Sequence, residues 1–156
     1  MPEAPTKTAR GHRAPLVRQF SVFLPNKVGA LLDLTRTLGD TGVHICGLSV
    51  IDTADSAVVR MVVDDPDRAR AALQGKQMAA SESSVVVVEL PQGPEKLGVI
   101  LSHLLAAEVN IQYTYSLMIR PHDKALLALH CEEPEFARDA LTQAGYTVLT
   151  QNDISR

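Results

Sequence analysis

Apolar positions follow two alternating periods along this chain. From Val17 to Leu24 they partly alternate with polar ones, which predicts a half-buried strand that Pro25-Asn26-Lys27 brings to an end. Leu31, Leu34 and Leu38 then fall at i, i+3 and i+7, one buried face of a helix, and Gly42 is placed to close it as a left-handed C-cap. Strands are predicted over 43–50 and 57–63, with a turn around Asp55. Asp65-Pro66 opens a second helix, because the Asp carboxylate can accept an amide at the N-cap and Pro loses no needed donor at the first helical position. Ala69, Ala72 and Leu73 give that helix a small apolar face, and 78–83 is a weaker strand. The order is β-α-β-β-α-β.

The same order then returns. The valine run within 85–90 predicts a buried strand, and 94–107 a helix with Leu97, Ile100, Leu101, Leu104 and Leu105 on one broad face. Strands are predicted over 109–119 and 125–131, a helix opened by Pro134 and closed by Gly145, and a final strand over 146–150. The echo extends to residue identity. Asp64–Leu73 and Glu132–Leu141 share five identical positions and three Asp-to-Glu exchanges at a spacing of 68. Val22, Leu24, Pro25, Leu31, Leu38, Val43 and Ile45 match Val88, Leu90, Pro91, Leu97, Leu104, Val109 and Ile111 at a spacing of 66. The chain reads as one unit written twice.

A βαββαβ unit is the split βαβ, or ferredoxin-like, arrangement, so the expected fold is α+β with two tandem antiparallel sheets. The expected division is a tail over 1–15, a first domain over 16–84 and a second over 85–156. Right-handed crossovers put both helices of a unit on one sheet face, and the other face needs a cover. Units this small bury only about 60% of their unfolded surface. Both arguments predict that the copies pair, and exposed edge strands point further to a homodimer.

Composition narrows the function. A net charge of −3 gives no pull toward nucleic acid or anionic membrane, and no apolar run reaches the length of a membrane span. Cys46 and Cys131 do not make a disulfide framework, so a cytoplasmic location is expected. No nucleophile elbow, phosphate loop, HExxH or paired-acid motif occurs, so the chain reads as no enzyme and no cofactor is expected. His44 and Cys46 share a strand face, but there is no CxxC, and His130 and Cys131 must point to opposite faces. No metal site is expected. Tyr113 and Tyr115 share a face and read as core or sheet-pairing aromatics rather than pocket lining.

The candidate chemistry lies between the first strand and the first helix. In Leu24-Pro25-Asn26-Lys27-Val28-Gly29-Ala30-Leu31, Gly29 leaves room for a ligand and the free amides of the helix start attract an anion such as a carboxylate. A tight β-to-α turn that uses glycine only for its backbone explains the same residues. This stretch, followed by Gly42-Val43-His44-Ile45, resembles the ACT domain, a small regulatory amino-acid-binding module. Gln92-Gly93-Pro94-Glu95-Lys96-Leu97 and Glu108-Val109-Asn110-Ile111 repeat the resemblance in the second copy, as in stand-alone bacterial tandem-ACT proteins.

The resemblance implies an amino acid or similar metabolite as effector, held between the first loop of one unit and the second strand of its neighbour. Carried over, the site comprises Asn26, Lys27, Val28, Gly29, Ala30 and Leu31 with Asn110 and Ile111. The reciprocal set, Gln92, Gly93 and Glu95 with His44 and Ile45, is a possible second site, degraded because the Glu95 carboxylate would repel an effector's own. Copy two also lacks the helix-closing glycine, with Glu108 opposite Gly42. Effector binding would lock the domain pair or dimer and change a surface seen by an unidentified protein partner. The alternatives are a constitutive protein-protein interaction module without an effector and, third, a small enzyme.

Overall fold

The computed structural model describes residues 15–25 and 27–155; Asn26 and the expected tail, apart from Pro15, lie outside the described residues. The elements are β1 (Val17–Pro25), α1 (Ala30–Gly39), β2 (Ile45–Asp52), β3 (Ser56–Val63), α2 (Pro66–Gly75) and β4 (Ala79–Leu90). A 3-10 turn (Gly93–Lys96), α3 (Leu97–Ala106), β5 (Ile111–Ser116), β6 (Ala125–Cys131), α4 (Pro134–Gln143), β7 (Val148–Leu149) and α5 (Gln151–Ile154) complete the order. No helix among the described residues is long and apolar enough to cross a membrane.

The sheet runs β2-β3-β1-β4-β6-β5, with β7 also on β4. Its first half pairs β4 with β1 from Ala79 to Val85, and its second pairs β4 with β6 from Val86 to Leu90 and with β7 at Val87 and Val88. Each half therefore has the ferredoxin-like order, β4-β1-β3-β2 and β7-β4-β6-β5, and both share one long strand. Strands expected at 78–83 and 85–90 are continuous because Ser83 and Ser84 stay in register with Gln19 and Arg18. Residue 84 lies inside that strand.

Three further differences have local causes. The helix expected from 94 begins as a 3-10 turn and becomes α-helical only at Leu97. The strand expected over 109–119 shortens at both ends: the Val109 amide closes α3 on the Leu104 carbonyl, and the Met118 amide turns to the Cys46 carbonyl at 2.6 Å. The last strand is two residues long, because Thr150 and Asp153 form a capping box that starts α5.

α1 to α4 end alike. Amides of Val43, Met78, Val109 and Tyr146 return to the carbonyls of Leu38, Leu73, Leu104 and Leu141 at 3.1, 3.0, 2.9 and 3.0 Å. The residue before each has positive φ: Gly42 at 78°, Gln77 at 55°, Glu108 at 59° and Gly145 at 92°. Glu108 thus keeps the geometry of Gly42 without being glycine.

Three cores hold the molecule together. One lies between α1, α2 and the first half-sheet, centred on Phe20, Leu34, Leu38, Met61 and Leu73. Its counterpart gathers Ile100, Leu104, Leu129 and Leu141. The third fills the seam between the helix-free faces, where Val17, Cys46 and Val62 meet Val85, Val87, Tyr115, Leu117, Leu126 and Leu149. The copies do cover one another. A Cβ on Gly47 would lie 2.3 Å from Leu117 Cδ2, so the close approach of β2 to the 116–118 segment requires glycine there.

The seam also buries polar groups, and they are paired. Gln19 is fully buried; its Nε2 donates to the Tyr113 and Ser83 hydroxyls at 2.7 and 3.2 Å, and its Oε1 accepts from Tyr115 at 2.6 Å. Burial pushes the Tyr115 hydroxyl pKa well up, with Tyr113 adding to the shift, so Tyr115 stays a donor. Both tyrosines are therefore seam residues. At the far end Gln151 accepts from the Arg18 amide at 2.9 Å and donates to the Val63 carbonyl at 3.3 Å, which ties α5 to the first half.

Candidate functional site

The turn from β1 into α1 is built on two backbone bonds, Lys27 amide to Pro25 carbonyl at 2.9 Å and Ala30 amide to Lys27 carbonyl at 3.3 Å. They force the N-cap, Gly29, to φ 87°, a conformation that a Cβ would strain. No side chain among the described residues caps this helix, and the first helical bond runs from Asp33 to Gly29. The amides of Leu31 and Leu32 have no acceptor among the described residues. They point out of the positive end of the helix dipole.

Two hollows flank this turn, and Leu24, Pro25, Lys27 and Ala30 line both. One, of about 310 Å³, continues to Asp33, Met78 and Ala79. The other, of about 270 Å³, continues to Leu31, Val50, Asp52 and Val59. The Lys27 and Asp52 side chains make no hydrogen bond or ion pair among the described residues, so the second hollow offers one free cation, one free carboxylate and an apolar wall. That combination can hold a small zwitterion with an apolar side chain.

The structure brings some of the expected site residues together and separates others. Lys27, Ala30 and Leu31 line the hollows, Gly29 shapes the turn, and Val28 is fully exposed. Asn110 is exposed just before β5, Ile111 packs against the second helix-side core, and neither lines a hollow. In the second copy positive φ lies two residues earlier: Gly93, not Glu95, the equivalent of Gly29, adopts 64°, and the 3-10 turn carries Glu95 in its first turn. Gln92 and Glu95 are exposed there.

His44 and Ile45 line a different cavity of about 530 Å³ with Cys46, Asp64, Ile119 and Ile154. Asp64 accepts from the His44 amide and bonds its Nδ1, each at 2.8 Å. Asp52, Asp33 and Val50 are the wall residues that sequence patterns missed. Asp52 ends β2 opposite Ala57 of β3, and only the β1-β3 pairing of Leu24 with Ala57 carries that end to the loop.

The family of ACT domain pairs matches residues 16–156. Among solved structures the chain is similar to protein BT0572 from Bacteroides thetaiotaomicron, with 28% identity and a TM-score of 0.83, covering 92% of this chain and 98% of that one. It is similar in fold to the regulatory subunit of aspartate kinase from Thermus thermophilus, ligand-free form, with 14% identity, a TM-score of 0.58 and coverage of 85% and 94%. The corresponding Thermus flavus subunit gives 15% identity, a TM-score of 0.56 and the same coverages. No curated protein matches the chain.

Proposed function

The chain belongs to the ACT domain family as a domain pair, and from that premise we propose that it is a regulatory protein whose effector is an amino acid or close analogue bound at the β1–α1 turn. The observation that carries this reading is the hollow shared by Lys27, the unpartnered Leu31 amide and Asp52. The effector's carboxylate takes Lys27 and the helix start, its ammonium takes Asp52, and its side chain lies on Leu24, Val50 and Val59. Asn26 follows from the family resemblance. Asn110 lines neither hollow, so this reading needs a homodimer for Asn110 to take part; Val28, Leu31 and Leu32 offer exposed apolar surface for one. A regulatory role is also the one named for the Thermus aspartate kinase subunits. An effector of this kind acts by shifting the arrangement it prefers.

The test is a thermal-shift screen of the proteinogenic amino acids, with calorimetry on any that respond. Ligand at about 100 times its Kd stabilises the fold by about 2.7 kcal/mol. Lys27→Gln and Asp52→Asn each remove the shift in this reading, and Asn26→Ala and Asn110→Ala measure the contribution of the two asparagines. If no amino acid shifts the melting temperature, the effector reading fails and the constitutive interaction module takes its place.

A further inference from the structure

The two helix-free faces overlap only in part, and the uncovered part of the first is not featureless. Directly opposed residues of antiparallel strands share a face. The pairings Arg60 with Ser21, Arg60 with Ser49 and Ser21 with Ser81 therefore place one polar row across that face. One row inward, Gln19 and Val62 are fully buried under the second unit. One row outward lie Phe23, Val58 and Ile51, with Phe23 48% and Ile51 43% exposed. The cover ends at Arg60.

The Arg60 guanidinium lies 3.9 Å from the centroid of the Tyr113 ring, which is itself stacked on His130 at 4.6 Å and 5°. Among the described residues it makes no hydrogen bond or ion pair. Its cross-strand neighbours are serines, so no carboxylate shares its row. Stacking fixes the plane of the guanidinium and leaves its N–H edge as a fork of donors, the geometry that a carboxylate accepts in bidentate fashion. Ser21 and Ser49 flank it with hydroxyls, and the apolar row begins immediately beyond.

We infer that this ledge is a second binding site, for a small carboxylate with an apolar body, its head on Arg60 and its tail on Phe23, Val58 and Ile51. It is distinct from the Lys27–Asp52 hollow at the β1–α1 turn, although Phe23 also borders the neighbouring hollow of about 310 Å³. The Lys27–Asp52 hollow is walled by Leu24, Val50 and Val59, which alternate with the ledge residues and face the helices. The site lies at the seam because Tyr113 and His130 belong to the second unit, so an occupant bridges the two copies.

The experiment is a heteronuclear NMR titration of the full chain with hexanoate, using hexanamide as the uncharged control. Hexanoate is expected to shift Tyr113 and His130 signals saturably, with hexanamide inactive at equal concentration. Arg60→Gln removes charge-assisted hydrogen bonds and is expected to weaken the response about tenfold or more. Arg60→Lys keeps the charge but loses the fork and is expected to fall between; it decides the matter if the Gln variant does not fold. Lys27→Gln leaves the response unchanged, so the ledge stands or falls apart from the effector site. No saturable shift, a shift confined to residues 27–32, or a response that survives in both Arg60 variants overturns the proposal.

Discussion

Replacing Gly47 with Ala tests how tightly the two copies are docked. The added Cβ would meet Leu117 Cδ2 at 2.3 Å, the Leu117 Cα at 3.1 Å and the Ser116 carbonyl oxygen at 3.3 Å. Carbon atoms at optimal separation are about 3.5–4.0 Å apart, so the first contact is more than about 1 Å too short. Leu117 is 9% exposed and packed in the seam, so its Cδ2 has little room to turn away. The other two atoms are backbone, and β2 and the 116–118 segment must part by a few tenths of an ångström. Overpacking of this kind costs about 1–3 kcal/mol.

Urea unfolding of Gly47→Ala, Leu117→Ala and the double variant measures this. Leu117→Ala alone should cost about 2–5 kcal/mol as a cavity. It also removes the atom that the added methyl would strike, so Gly47→Ala should cost less in that background, with a coupling of about 0.5–3 kcal/mol. If Gly47→Ala is within about 0.5 kcal/mol of the parent, or costs the same in both backgrounds, the tight seam is refuted.

Three further outcomes are expected. Asp65 accepts from the Arg68 amide at 3.1 Å while Glu133 makes no cap bond, so Asp65→Ala should cost about 1 kcal/mol in denaturant midpoints and Glu133→Ala much less; equal losses would contradict the capping account. Glu108 sits at φ 59°, where a Cβ costs about 1–2 kcal/mol, so Glu108→Gly should raise the melting temperature despite its greater unfolded-state freedom; a drop would mean that the Glu side chain contributes more than the strain. Burial, and then the Arg60 charge, hold the His130 pKa below its ordinary 6.5. The unfolded chain therefore takes up a proton first, and stability that is full above about pH 6.5 is lost as pH falls toward the native pKa. His130→Phe keeps a ring on Tyr113 and should flatten that part of the pH-stability curve; an unchanged slope counts against the assignment.

Signals that act within a few residues were legible in the sequence. Asp65-Pro66 announced a helix start that the structure caps as expected, and the period of Leu31, Leu34 and Leu38 identified the buried face of α1. The repeat and the need to cover two helix-free faces implied a seam. Contact between distant segments was not legible. Gly47 reads as a weak point in a strand until Leu117 is set against it, and Asp52 as a hairpin end until pairing brings it beside Lys27. The C-terminal helix was missed because Thr150 to Asp153 is too short for periodicity, and its anchor, Gln151, bonds residues 88 and 133 positions away.

The duplication preserved closure and released the loops, and the reason is energetic. Each end of α1 to α4 returns an amide to a buried leucine carbonyl, so core packing holds that geometry even where Gln77 and Glu108 replace glycine. At the β1–α1 turn a Cβ on Gly29 would meet nothing within 4 Å among the described residues, and its counterpart loop was free to shift its left-handed residue to Gly93 and tighten into a 3-10 turn. The faces diverged in the same way. In the second unit Tyr115, Leu126 and Leu149 are covered by the first, whereas Arg60, Phe23 and Ile51 extend past the cover. Both proposed sites lie where packing imposes no restraint. For this chain that is the turn and the open ledge of the first copy, with the second copy as the platform that shapes the seam.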